Sequence, residues 1–264
     1  MLRSKRIVVA MERRFADYLA GRGVNVAEDE ITDTPPADAG AAISIGGDGT
    51  FLRTARWIGA KGIPVLGINT GHLGFLASYT PAEFGELTDM LLEGDAIVEE
   101  RIALKVEVGP GCEAPELPYA VNEVAILKDE TSSMITVKVD IAGHFLADYM
   151  ADGVLFSTPT GSTGYSLSAG GPILSPALDV MCITPIAPHT LTLRPFVVSG
   201  DDVINACTES RAKRYRVSLD GVSFLMEAGT SISIRKADFR PRVIRRPGDS
   251  FAWALRTKLL WGLR

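Results

Sequence analysis

The chain has 264 residues, enough for one large domain or two medium ones, and its 46% hydrophobic and 22% charged residues are ordinary for a globular protein. Its net charge of −5 excludes a general electrostatic attraction to nucleic acid or to an anionic membrane, so we expect neither as a partner. The cysteines and histidines are scattered and show no metal-ligand spacing, so we expect no metal site built from them. With no signal-peptide pattern and no apolar run of ~18 residues, the sequence predicts a reduced, cytoplasmic protein.

Apolar runs alternate with helical patterns over about the first 95 residues, which is the pattern of β–α–β units. The expected strands are Ile7–Met11, Ile43–Ile45 and Pro64–Ile68, and the expected helices are Arg13–Gly21, Thr50–Ala60 and Pro81–Leu92. Loops that follow parallel strands gather at the carboxyl edge of the sheet, where ligands bind. We therefore expect the loops after the second and third strands to be neighbours.

The apolar period changes to two from about residue 97, which is typical of strands with one buried face. The alternating residues are Leu104, Val106 and Val108, then Ile135, Val137, Val139 and Ile141, then Tyr215, Val217 and Leu219, and finally Ile232 and Ile234. We predict an α/β domain at residues 1–96, joined by about 240–264, and an antiparallel β domain at residues 97–239. The segment Ser250–Leu263 is predicted to be an amphipathic helix that packs on the first domain, with a membrane-surface helix as the alternative.

Three glycines surround one carboxylate in the segment Gly46-Gly47-Asp48-Gly49, between the second strand and the helix that follows it. Bare backbone next to a helix N-terminus suits the close approach of a phosphate. A P-loop lysine and the G-x-G-x-x-G spacing are both absent, which excludes two common phosphate-binding motifs. An ordinary glycine-rich turn remains the alternative.

Three further segments carry polar groups in informative places. Asn69–Leu76 follows the third strand, and Asn122-Glu123 begins a later one, where a carboxylate can accept both hydroxyls of a ribose. The run Asp152–Pro172 combines hydroxyls, glycines and Tyr165, which suits sugar, phosphate and base recognition. Each segment has an alternative interpretation. Asn69–Leu76 could be a plain connecting loop, Glu123 a solvated glutamate, and Asp152–Pro172 a low-complexity linker.

Taken together, these segments resemble the NAD kinase family of the bacterial type, which uses ATP or polyphosphate. The match runs from Ile43 to about Pro195 in the family's order. The resemblance implies a Rossmann-like α/β domain, a C-terminal antiparallel β-sandwich domain, and a C-terminal helix that returns to the first domain. It also implies transfer of the γ-phosphoryl group of ATP to the 2′-hydroxyl of the adenosine ribose of NAD, giving NADP and ADP. The resemblance further implies that a divalent cation such as Mg²⁺ accompanies ATP and that the protein forms a homodimer or homotetramer.

The resemblance also assigns roles to single positions. Asp48 matches the family's general base and a nucleotide contact, Gly49 a backbone contact, and Arg53 an NAD contact of some members. Asn122 and Glu123 match contacts to NAD, and Asp152 matches a contact near the nicotinamide end. The nucleotide-lining positions are Thr160, Thr163, Gly164, Tyr165, Ser166, Leu167 and Ser168.

Two positions depart from the family pattern. Val222 follows Asp220-Gly221 where the family often has a glutamine nearby, and Met150 stands where some members have a basic residue. Two other functions stay open at this point. A lipid kinase of the diacylglycerol type shares the Gly-Gly-Asp-Gly loop, and a nucleotide-sensing protein could keep the fold without catalysis.

Overall fold

A computed structural model describes residues 2, 5–71, 74–109, 115–129 and 134–261. The chain divides into two compact units: Met1–Val98 with Val243–Asp249, and Glu99–Arg242 with Ser250–Arg264. The final residues were expected to join the first unit, but only Val243–Asp249 does so, because Val243 pairs with Val65 in its sheet. His72, Leu73 and Cys112 lie outside the described residues.

The first unit combines helices with a small sheet that contains parallel strand pairs. Its elements are β1 (Met11–Glu12), α1 (Arg13–Ala20), β2 (Ile31–Thr32), β3 (Ala42–Ile45), α2 (Asp48–Ile58), β4 (Val65–Ile68) and α3 (Phe84–Glu93). A four-stranded sheet has the order β3-β4-β18-β5, with β5 at Ile97–Glu100 and the last strand, β18, at Arg242–Arg245. Strands β1 and β2 form a separate parallel pair.

Strands β3 and β4 run parallel in the register Ala42↔Val65 to Ile45↔Ile68, so they end at the same edge of the sheet. The N–H of Gly46 donates to the carbonyl of Ile68 at 2.9 Å, which joins the two loops where they begin. This confirms that the loops after the second and third expected strands are neighbours.

The helices of the first unit fall close to their expected positions. Helix α3 follows a 3₁₀ turn at Pro81–Glu83, where Thr80 and Glu83 form a capping box, and it ends at Gly94 with φ +80°. The expected strand Ile7–Met11 is wrong. Only Met11–Glu12 forms a strand, because the residues just before it pair with no strand in the described part of the chain, and Val8 is 96% exposed.

The second unit contains two six-stranded antiparallel sheets. Their strands are β6 (Leu104–Val108), β7 (Tyr119–Ala120), β8 (Glu123–Lys128), β9 (Ile135–Ile141), β10 (His144–Ala151), β11 (Gly153–Ser157), β12 (Val180–Ile186), β13 (Phe196–Ser199), β14 (Ile204–Ser210), β15 (Arg214–Leu219), β16 (Val222–Glu227) and β17 (Ser231–Lys236). The orders are β10-β9-β14-β17-β6-β7 and β13-β12-β11-β8-β15-β16.

One hydrophobic core joins the two sheets, because the buried faces of both contribute to it. Val137, Val139 and Ile234 come from the first sheet, and Val124 and Phe156 come from the second. The expected alternation is confirmed along β6, β9, β15 and β17. Two short helices also belong to this unit: α4 (Tyr165–Ser168), after a 3₁₀ turn at Thr160–Thr163, and α5 (Phe251–Lys258) near the C-terminus.

Candidate functional site

The glycine-rich loop leads directly into α2, whose N-terminus is open. Gly47 is the N-cap and supplies no side chain to bond the first turn. Within the described part of the chain, the N–H groups of Gly47, Asp48 and Gly49 donate to no protein acceptor. Gly46 has φ +149°, and a Cβ on it would overlap the side chain of Thr50. The loop therefore presents free N–H donors and a positive helix end, as an anion site requires.

The carboxylate of Asp48 is fixed by the loop after β4. The N–H of Phe75 donates to Oδ2 at 2.9 Å, and those of Leu76 and Ala77 donate to Oδ1 at 3.1 and 2.9 Å. Three consecutive donors fix both the position and the orientation of the carboxylate. In the described contacts, Oδ1 accepts two of these bonds and Oδ2 accepts one. Oδ2 therefore keeps a lone pair that a reactant can use.

Gly74 is what lets this carboxylate reach the loop. A Cβ on Gly74 would overlap Oδ1 and the carboxyl carbon of Asp48. The reason for glycine at this position is therefore contact with Asp48, because its φ is not in the left-handed region.

Arg245, at the end of β18, holds the same loop from another side. Its Nη2 donates to the carbonyl of Phe75 at 3.2 Å, and its Nη1 donates to Oγ of Ser78 at 2.9 Å. The hydroxyl of Ser78 also donates to the Phe75 carbonyl at 3.2 Å. Phe75 thus donates its N–H to Asp48 and accepts at its carbonyl from Arg245 and Ser78.

Arg53, expected to contact the nucleotide, lies on the exposed surface of α2 one turn from Asp48. Its Nη2 donates to Oγ1 of Thr50 at 3.2 Å. Arg53 follows the open N-terminus of the helix by five residues and is exposed to solvent. A contact to nucleotide stays a prediction for this residue and for Gly49.

In the second unit, the loop Val121–Glu123 is held by a carboxylate that sequence reasoning did not assign. Asp220 Oδ2 accepts from the N–H of Val121 at 2.7 Å, and its Oδ1 accepts from Asn122 and Glu123 at 2.8 and 3.1 Å. The N–H of Asp220 donates back to the carbonyl of Glu123 at 3.2 Å. The side chains of Asn122 and Glu123 leave the loop in directions that this clamp fixes.

The hydroxyl-rich segment packs directly on that loop. A Cβ on Gly161 would overlap the backbone carbonyl of Asn122. A Cβ on Gly164 would lie 3.3 Å from Nδ2 of Asn122 and 3.4 Å from Oε2 of Glu123. The N–H of Thr158 donates to the Asn122 carbonyl at 2.9 Å. The structure thus brings together two predicted site segments that are far apart in sequence.

Three polar atoms in this cluster are buried without a partner among the described residues: Asn122 Oδ1, Glu123 Oε2 and Thr160 Oγ1. Native proteins seldom leave buried polar atoms unbonded, since each costs about 1–3 kcal/mol. Burial, and secondarily the negative charge of Asp220, raises the pKa of Glu123 to about 7. We call these three residues, with Gly161 and Gly164, the polar cradle.

The rest of the hydroxyl-rich segment divides into inward and outward side chains. The hydroxyl of Ser166 is buried against Thr184 Oγ1 at 3.1 Å, and Thr163 donates to the Thr160 carbonyl at 3.3 Å. Tyr165 is 42% exposed, so its ring is open to a stacking partner. Leu167 is partly buried and Ser168 is exposed. Their contacts to nucleotide stay predictions.

Asp152 lies between β10 and β11 and is held differently. Its Oδ1 accepts from Nζ of Lys128 at 2.8 Å, and both side chains are more than a third exposed. Its backbone carbonyl accepts the N–H of Lys128 at 2.9 Å. The two positions that depart from the family pattern are both exposed. Met150 precedes Asp152 by two residues, and Val222 lies at the start of β16.

Two kinds of feature are absent from the described residues. No helix among them is long and apolar enough to cross a membrane. No group of three or more histidine, cysteine, aspartate or glutamate side chains among them is placed to hold a metal ion.

The architecture is an α/β unit with a glycine-rich loop at its sheet edge and an antiparallel β unit with a polar cradle. A family model described as the ATP-NAD kinase N-terminal domain matches residues 6–96, and one described as the ATP-NAD kinase C-terminal domain matches residues 121–246. The chain belongs to the NAD kinase family.

Relatives and solved structures agree with this assignment. Proteins named NAD kinase from Bacteroides fragilis and Porphyromonas gingivalis are each 46% identical, over 242 and 253 residues. The alignments cover 90% and 96% of this chain, and 82% and 87% of those relatives. A crystal structure of an NAD kinase from Archaeoglobus fulgidus in complex with ATP has a TM-score of 0.71 at 29% identity, covering 95% of this chain and 92% of that one.

A crystal structure of yeast NADH kinase complexed with NADH shares the fold, with a TM-score of 0.84 at 23% identity. It covers 98% of this chain and 80% of that one. The comparisons give no support to a lipid kinase.

Proposed function

We propose that the protein transfers the γ-phosphoryl group of ATP to the 2′-hydroxyl of the adenosine ribose of NAD, giving NADP and ADP. The observation that carries the proposal is Asp48. Its carboxylate is fixed by three backbone donors, keeps a lone pair on Oδ2, and begins a helix whose first N–H groups are open.

Asp48 acts as the general base in this mechanism. A ribose hydroxyl is a weak nucleophile at neutral pH, and removing its proton as the O–P bond forms contributes about 10²–10⁴-fold in rate. The proton goes to Oδ2 of Asp48, the hydroxyl oxygen bonds to the γ-phosphorus, and the bond to the β,γ-bridging oxygen breaks to release ADP. The free N–H groups of Gly47 and Gly49 hold donor phosphate oxygens.

Mg²⁺ enters as part of the substrate, bound to the ATP phosphates, whose charge it neutralises. Arg53, at the exposed face of α2, adds a positive charge for the phosphates of either nucleotide.

The polar cradle binds the NAD. Unpartnered oxygens on Asn122, Glu123 and Thr160 find their partners in the hydroxyl and amino groups of the nucleotide. Tyr165 stacks on a base, and Asp152 contacts the nicotinamide end. Thr163, Gly164, Ser166, Leu167 and Ser168 line or shape the same segment.

The proposal includes a cytoplasmic location and a homodimer or homotetramer. Cys182 and Cys207 are free thiols, which suits a reducing compartment. Light scattering of the purified protein measures its assembly state directly.

The test is the formation of NADP from NAD and Mg-ATP by the purified protein, followed with an NADP-specific dehydrogenase. Asp48→Asn should lower kcat by about 10²–10⁴-fold and leave NAD affinity within a few-fold. Incubation with diacylglycerol in place of NAD serves as the acceptor control. Absence of NADP, or near-normal turnover by Asp48→Asn, would contradict the proposal.

A further inference from the structure

Asp220 lies at the tip of the β15–β16 hairpin, a two-residue turn formed with Gly221. Leu219 pairs with Val222, and φ is +49° at Asp220 and +83° at Gly221, the positive pair of a type I′ turn. Aspartate and asparagine tolerate this region better than other side chains except glycine. The turn alone therefore accounts for a small polar residue at position 220, but not for a carboxylate.

The carboxylate is accounted for by its three acceptor bonds. It takes the N–H groups of Val121, Asn122 and Glu123, at 2.7, 2.8 and 3.1 Å, from a loop 97 to 99 positions away in the chain. An amide at this position has one acceptor oxygen, and its NH₂ group would face backbone N–H donors. Only a carboxylate of this length satisfies all three.

The clamped loop carries two of the unpartnered oxygens of the polar cradle, on Asn122 and Glu123. Gly161 lies against the Asn122 backbone on another side of the loop. Thr158 also bonds the loop, through its N–H to the Asn122 carbonyl at 2.9 Å and its hydroxyl to the Val121 carbonyl at 2.6 Å. Among these described contacts, the Asp220 carboxylate is the charged one and it takes the three N–H groups. We infer that Asp220 is a positioning residue for NAD binding, which holds the Asn122–Glu123 loop in its binding geometry without touching the nucleotide.

This inference rests on the proposed function, since it assumes that the cradle binds NAD. The inference assigns NAD binding and the chemical step to different aspartates. Asp220 acts on the affinity for NAD, whereas Asp48 acts on the chemical step. Their variants should therefore differ in which kinetic constant they change.

Asp220→Asn is the decisive variant, because asparagine keeps the size of the side chain and its tolerance of positive φ. Asp220→Gly removes the side chain and also relaxes the turn. Glu227→Gln, at the far end of the same hairpin, removes an exposed carboxylate and serves as the matched control. Steady-state kinetics should show KM for NAD raised about tenfold or more in both Asp220 variants, with kcat and KM for ATP within about threefold.

A second measurement does not depend on activity. Amide hydrogen exchange, read by mass spectrometry, should accelerate about tenfold or more at Val121–Glu123 in Asp220→Asn. Exchange at Phe75–Ala77 should stay unchanged. Uniform acceleration of exchange, or equal losses in every kinetic constant, would mean that Asp220 only supports the fold, and this would overturn the inference.

The outcomes distinguish this inference from the proposed function. An active wild-type protein whose KM for NAD is unchanged by Asp220→Asn contradicts the inference alone. A wild-type protein that makes no NADP contradicts the proposed function. Calorimetric titration with NAD then decides the inference: weaker binding by Asp220→Asn supports it, and equal binding or no binding by either protein overturns it.

Discussion

Two aspartates in different units use the same hydrogen-bond pattern. Asp48 and Asp220 each accept three consecutive backbone N–H groups, the first at Oδ2 and the next two at Oδ1. One clamps a loop of the α/β unit, and the other clamps a loop of the β unit. The geometry is shared, but the side chains around it differ.

The difference lies in which partner of the clamp carries the chemistry. Around Asp48 the clamped residues are Phe75, Leu76 and Ala77, which offer no polar side chain, so the oriented group is the carboxylate itself. Around Asp220 the clamped residues include Asn122 and Glu123, so the oriented groups are those of the loop. A carboxylate held by three N–H groups can therefore be either a reactive group or an anchor, and its neighbours decide which.

The largest effect should come from breaking the Asp48 clamp at Gly74. In Gly74→Ala, the new methyl group occupies the position of Asp48 Oδ1 and displaces the carboxylate. We expect kcat to fall by about 10²–10⁴-fold, as when the base is removed, because a displaced base no longer reaches the ribose hydroxyl. Steady-state kinetics of NADP formation measure this.

Gly40→Ala is the matched control for Gly74→Ala. It adds the same methyl group in the same unit, with no atom within 4 Å and with φ outside the left-handed region. Its kcat should be that of the wild type. Full activity in Gly74→Ala would show that the three-donor geometry of Asp48 is not required for turnover.

A smaller effect concerns the pH dependence of stability at the Asp220 clamp. The pKa of Glu123 is raised to about 7 by burial and by Asp220, from its ordinary value in the unfolded chain. The folded state therefore prefers the protonated form. Its stabilising contribution is fully present below about pH 4.3, the unfolded pKa, and is lost as pH rises through 7.

Glu123→Gln replaces the protonated form by a neutral side chain of similar size. Between pH 5 and pH 8, the free energy of unfolding of the wild type should fall by about 2–3 kcal/mol relative to this variant. Urea denaturation at a series of pH values measures the difference. A constant difference across this range would place the titration of Glu123 outside it.

The sequence predicts the frame of the molecule well because local patterns determine it. Period-two alternation identifies β6, β9, β15 and β17, and the Gly46–Gly49 segment is found by its glycines at a strand end. Ile7–Met11 fails because an apolar run says nothing about whether a partner strand is present. Asp48, Asn122 and Glu123 lie in recognisable motifs. The structure adds the hydrogen bonds that fix the Asp48 carboxylate and the backbone of Asn122 and Glu123.

Gly74 and Asp220 could not be assigned the same way, because their importance lies in contacts across the chain. Gly74 reads as one more loop glycine until Asp48 Oδ1 lies against it. Asp220-Gly221 reads as a hairpin turn, which it is, and only its partners 97 to 99 positions away reveal the clamp. Periodicity and turn chemistry carry no information about pairings of that range.

The smallest effect should come from a third carboxylate, Asp152, which is held by a side chain in place of backbone donors. Its ion pair with Lys128 has both partners more than a third exposed, so water and salt screen the attraction. A double-mutant cycle of Lys128→Ala and Asp152→Ala should give a coupling of at most about 1 kcal/mol in unfolding free energy, smaller still in 0.5 M salt. A coupling of several kcal/mol, insensitive to salt, would mean that this pair is as firmly fixed as the two clamps. The expected weak coupling instead leaves Asp152 free to exchange Lys128 for a ligand group, which neither Asp48 nor Asp220 can do without releasing a loop.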